Sequence, residues 1–161
     1  MTDTVYTSDF LIYDLLRNSE NEILQLCNVK FIDRSVPAEE DNTIYIANVS
    51  LAPKTELFDG QIYNTLVSIY VKTKQTDYIK GSRILRTFVQ NIKQELKNNP
   101  ELRSRNISFG NQTFDYGSTY TLKGITLLVY VDEEEHYGLL NADEITCYCG
   151  VNLEDVDIDI E

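Results

Sequence analysis

Between Val67 and Leu96 the spacing of apolar residues changes character within one unbroken stretch, "VSIYVKTKQTDYIKGSRILRTFVQNIKQEL". Val67, Ile69 and Val71 alternate with Leu66, Ser68, Tyr70 and Lys72, which gives a β-strand two distinct faces. Further on, Ile84, Leu85, Phe88, Val89, Ile92 and Leu96 recur at spacings of three and four, the apolar stripe of an amphipathic helix. Thr76 or Asp77 is placed to accept the unpaired N–H groups of the first turn, and "NNP" (Asn98–Pro100) is placed to end the helix. The pattern predicts a helix from Asp77 to Lys97, with Arg83, Arg86, Lys93 and Lys97 off the core-facing stripe.

The same reading extends to both sides. Ser8 is a candidate N-cap for a helix over "DFLIYDLLRN" that ends at Asn18. "EILQLCNVKFI" is expected to finish as a strand, and Asp33–Asn42 is a loop. Thr43–Leu51 alternates as a strand, with breaks expected at Pro53 and Gly60. Ile62–Lys74 is apolar enough for a central strand whose lysine-bearing end emerges into solvent. Ile125, Leu127, Val129 and Val131 form one face of a second, largely buried strand, with Thr126, Leu128 and Tyr130 on the other. Gly110-Asn111 and Gly117-Ser118 read as turns before it. "ITCYCGV" reads as a further short strand. The closing "EDVDIDIE" alternates acids with Val156, Ile158 and Ile160, so it would join a sheet edge only with its charges outward or partnered.

The order of helix, strands, long helix and strands predicts an α+β fold. A mainly antiparallel sheet would carry the long helix (about 77–97) and the N-terminal helix packed on it. Residues 1–161 are read as a single domain, with 133–161 as an acidic C-terminal extension.

Charge changes this picture. The chain has a formal net charge of -12, unevenly placed. From Asp132 to Glu161 there are 11 acidic residues, and no lysine or arginine follows Lys123. Lys72–Arg105 holds nine basic residues against Asp77, Glu95 and Glu101, an excess of +6. Both regions could be solvated faces. They could equally be complementary patches by which copies meet, since such patches steer association and fix register. On that second reading the interface residues are Lys72, Lys74, Lys80, Arg83 and Arg86 against Asp155, Asp157 and Asp159. A small nucleic-acid-binding regulator is a further class, opposed by the acidity of the whole chain. The 11 tyrosines suit half-buried strand positions as well as interfaces.

Little here points to catalysis. His136 is the only histidine, beside an acidic run, with no nucleophile assigned to it by the sequence. Cys147-x-Cys149 would put two thiols on one side of a strand, but a zinc site would consume Cys27 and His136 as well. Asp155, Asp157 and Asp159 alternate as calcium ligands do, yet the sharp-turn glycine and the later glutamate of an EF-hand are missing; weak divalent binding stays open. No glycine-rich phosphate loop occurs, because Gly81 falls inside the helix pattern. The expectation is no enzyme and no cofactor. The longest apolar run, Gly124–Val131, is far short of the roughly 20 residues of a membrane span. No basic segment followed by an apolar one opens the chain, so synthesis in a cytosol is expected, with reduced cysteines.

"YNTLVSIYVKTKQTDYIKGSRILRTFVQNIKQEL" followed by "FDYGSTYTLKGITLLVYVDEE" resembles the tail terminator (tail completion, minor capsid) proteins of long-tailed bacteriophages. Gly81–Leu96 matches the family's long helix and Tyr120–Val131 its late strand; the likeness covers residues 40–132. The resemblance implies a structural virion protein that forms a ring, usually of six subunits, capping the tail tube and joining it to the head. It also implies partners: the major tail tube protein, a head–tail connector, and DNA passing through the lumen without specific binding. Other neck, head–tail adaptor or baseplate components are the alternative.

Overall fold

A computed structural model describes residues 7–32, 41–74, 77–117, 121–136 and 142–147. Five strands form one sheet in the order β1-β2-β3-β5-β4. They are β1 (Asn28–Phe31), β2 (Thr43–Glu56), β3 (Gly60–Lys72), β4 (Ser108–Tyr116) and β5 (Leu122–His136). Every pairing is antiparallel except β1 with β2, which is parallel. The fold is α+β, and the helices α1 (Ser8–Arg17) and α2 (Tyr78–Asn98) pack on the sheet. No helix among the described residues is long and apolar enough to cross a membrane.

The two central strands are the ones whose alternation is cleanest. Val67, Ile69 and Val71 of β3 and Ile125, Leu127, Val129 and Val131 of β5 are all completely buried. Against them α2 lays Leu85, Phe88, Val89, Ile92 and Leu96, and Ile12 and Leu16 of α1 complete the core. Asp77 caps α2, its carboxylate accepting from the backbone N–H of Lys80. The opposite face of the sheet is half-exposed and rich in tyrosine: Tyr70 pairs across the ladder with Tyr45 on one side and Thr126 on the other. Tyr70 reaches over Gly124 to donate to Asp115 at 2.9 Å. A Cβ at Gly124 would meet the Tyr70 ring at 2.6 Å, so only glycine leaves this path open.

The structure departs from the sequence expectation at several places, each for a local reason. Thr7, not Ser8, occupies the N-cap position of α1, and Ser8 is fully buried as the first helical residue. Its N–H is satisfied from far away: the Glu133 carboxylate accepts it at 2.6 Å across 125 positions. Pro53 does not end β2, which runs on to Glu56 with register shifts at Asn48/Ser50 and Pro53/Thr55. β1 accompanies β2 only over Thr43–Ile46, so Pro53 lies on an edge, where a missing donor is tolerated. Gly110-Asn111 makes no turn; it is the bulge in β4 between Phe109 and Gln112. Asn99-Pro100 ends α2 and also starts α3 (Pro100–Ser104), with Asn99 accepting from the Leu102 N–H.

Three further observations concern the charged regions. Lys72 and Thr73 at the end of β3 are buried, and Lys74 is the first lysine there to be exposed. Residues 142–147 are helical and exposed, so no strand forms over the first three residues of "ITCYCGV"; the rest of that segment lies outside the described residues. Glu133–His136 continue β5 and pair with Gly60–Tyr63, which makes these four residues part of the sheet.

Candidate assembly surfaces

The register fixes where charge lies. β3 and β5 run antiparallel over their whole length, with Gly60 opposite His136 and Lys72 opposite Gly124. At about 3.3 Å per residue the two ends of β3 stand roughly 40 Å apart. At the Gly60 end, Glu56, Asp59, Glu134 and Glu135 cluster with Asp132 and the buried Glu133. At the Lys72 end, Lys74 and Lys123 join Lys80, Arg83 and Arg86 on the first turns of α2, with Asp41, Asp77 and Asp115 as the local acids. Among the described residues, then, the acids of β5 and the bases of the first turns of α2 stand at opposite ends of the sheet, while Arg105 of the basic stretch lies beside Asp132 at the acidic end.

At the acidic end, β2 and β3 form a hairpin arm joined at Leu57–Asp59, with β5 paired along β3 as far as Gly60. Nine successive residues of β2, Asn48–Glu56, are exposed, among them Val49 and Leu51. Phe58 at the tip is fully exposed, at 104%. Gly60 closes the arm so tightly that a Cβ would lie 1.9 Å from the Glu135 carbonyl oxygen. Asp132 ties the base together. Lys54 Nζ donates to it at 2.7 Å, and the side-chain amides of Asn106 and Asn64 donate at 2.9 and 3.3 Å. Burial works to raise the Asp132 carboxyl pKa, but those donors outweigh it and hold it below the usual carboxylate range.

At the basic end, Arg83 and Arg86 are exposed, as the helical period requires, and Arg86 stacks over the Phe114 ring at 5.1 Å. Lys74 and Lys80 are exposed as well, whereas Lys72 is 6% exposed. Asp155, Asp157 and Asp159 lie outside the described residues. Between α2 and the segment before β1 is a hollow of about 350 Å³ lined by Ile23, Leu26, Ile84 and Phe88, with Arg83 and Asn42 at its rim. Leu26 stands 61% exposed on its wall.

The groups weighed for chemistry are held by structural partners. His136 Nε2 meets Glu134 at 2.9 Å and its Nδ1 meets Asp59 at 3.2 Å, which pins β5 to the arm. Among the described residues no three His, Cys, Asp or Glu side chains are placed to hold a metal ion together. Burial, aided by the Asp41 charge, pushes the Cys27 thiol up to about 12, so near neutral pH it carries almost no thiolate. Under native conditions at pH 8, Cys27 is expected to alkylate at least tenfold more slowly than the exposed Cys147. Peptide mass spectrometry of a labelling time course measures both, and equal rates would contradict the burial argument.

Sequence reasoning found the basic side chains of α2 but neither the hollow nor the tip. Phe58 sits in a segment read as a break, and the hollow is assembled from three stretches of chain. No protein-family model matches the chain, and no curated protein matches it in sequence. In three dimensions it resembles a chain in the virion of a native gene transfer agent particle. The TM-score is 0.53 at 11% identity, covering 77% of this chain and 92% of that one. At that identity what is shared is the fold, and the fold is one that a virion component uses.

Proposed function

We propose that the chain is a structural protein of a phage-like virion, acting as a tail terminator: a ring, with six subunits expected, that caps the tail tube and joins it to the head. The observation that carries this reading is the fold shared with a gene transfer agent virion chain over nearly that chain's full length. The separation of basic and acidic ends supports it, because closed rings need two different patches on each subunit. Its partners would be further copies of itself, the major tail tube protein and the head–tail connector. DNA would pass through the lumen unbound, since an acidic lining repels phosphates. The protein would be assembled in the host cytoplasm and remain in the virion.

Deleting the gene from a producing phage or phage-like element tests the role. Unjoined heads and tails of uncontrolled length are expected by electron microscopy, with gold-labelled protein found at the head–tail junction of wild-type particles. Label at the distal tip of the tail would instead favour a baseplate component. Normal, labelled tails in the deletion strain, or no label on particles, would overturn the reading.

A further inference from the structure

We infer that copies of this chain join head to tail by a knob and a hollow. The Phe58 tip of one copy's arm seats in the Ile23–Leu26–Ile84–Phe88 hollow of the next. This rests on the ring reading above and names the surfaces that would build it. Phe58 is a large aromatic held fully in water at the turn of the β2–β3 hairpin, beyond the last β3–β5 pair. An isolated exposed apolar residue is ordinary, but one presented at the tip of a projecting hairpin is in the position of a contact residue. The hollow is apolar, about 350 Å³, and of a size that accepts a phenyl ring.

The occupant is a second copy for two reasons. The first is geometric. The tip lies beyond the Gly60 end of β3, whereas the hollow lies at the Lys72 end, beside Asn42 and Thr43, which pairs with Lys72. Some 40 Å of paired strand separate them, so the tip of a chain cannot reach its own hollow. The second is electrostatic. Phe58 is followed by Asp59 and lies close to Glu56, Glu134 and Glu135, while the hollow is lined in part by the exposed Arg83. Seating the tip brings acids onto bases in one fixed register. Because knob and hollow are different surfaces, the contact is heterologous and propagates until it closes on itself.

Two variants separate the halves of the contact. Phe58→Ser removes the knob and Leu26→Glu blocks the hollow; both positions are exposed, so neither threatens the core. By light scattering coupled to size-exclusion chromatography, the wild type should assemble and each variant alone should self-associate at least tenfold more weakly. An equimolar mixture should give a one-to-one heterodimer, since it contains one intact knob and one intact hollow. Rings formed unchanged by Phe58→Ser would overturn this inference while leaving the ring reading standing. A mixture that stays monomeric would overturn it too, and a wild type monomeric at every concentration would remove both.

Discussion

Replacing Leu85 by alanine is expected to lower the unfolding free energy by about 3 kcal/mol, within the range of roughly 2–5 for a buried leucine. Leu85 is completely buried in the layer between α2 and the sheet. That layer is the apolar hold on α2: its mean composition is polar, and Arg83, Arg86 and Thr87 beside Leu85 are exposed. Alanine removes apolar area from the core and leaves a cavity that the rigid β3–β5 ladder cannot close. For a chain of this size the loss corresponds to a fall of about 6–12 °C in Tm. Arg83→Ala, one turn position away and exposed, is the control, expected within about 0.5 kcal/mol of wild type. Urea unfolding monitored by circular dichroism measures both. A Leu85 effect below about 1 kcal/mol would mean that α2 does not dock through this stripe.

The second large effect is expected at Glu133, where alanine should cost about 2 kcal/mol. Its carboxylate accepts the buried N–H of Ser8 at the start of α1, where a negative charge also suits the helix dipole. Losing an N-cap acceptor costs typically about 1 kcal/mol, and leaving the donor buried without a partner adds a comparable amount. Glu134→Ala is the informative neighbour. That side chain is more than half exposed and touches only His136 among the described contacts, so its removal should be nearly neutral. Equal effects at the two positions would show that the acidic run acts through its summed charge. A large effect at Glu133 alone assigns that residue to the fold.

This pair of glutamates shows where the sequence stops being informative. β3, β5 and α2 were readable because their periodicity is local: each residue's burial follows from its neighbours two, three or four positions away. The Glu133–Ser8 bond has no such signal, since nothing near either residue encodes a partner 125 positions off. Pro53 misled for a related reason. Proline forbids a central strand but not an edge, and whether β2 has a neighbour there depends on how far β1 extends. Gly110-Asn111 reads alike as a turn or a bulge; its bulge form is fixed by β5, which continues on the other side.

The candidate surfaces divide in the same way. The exposure of Arg83 and Arg86 follows from the helical period. That the acidic and basic regions stand at opposite ends of one sheet follows from strand register, which composition does not carry. The hollow needs Leu26, Asn42 and Phe88 to converge, and only the tertiary fold brings them together.

The position of β5 has a consequence for the birth of the molecule. The last of the described strands to be synthesised lies between β3 and β4 and pairs with both. Until it has left the ribosome, β3 and β4 share no partner, the core lacks Ile125, Leu127 and Val129, and α1 lacks its carboxylate. Folding is then a single late event rather than a progression from the N-terminus, as expected when non-local pairing dominates. The hollow exists only once α2 has docked on the completed sheet. A nascent chain that has not yet delivered β5 therefore carries no finished hollow.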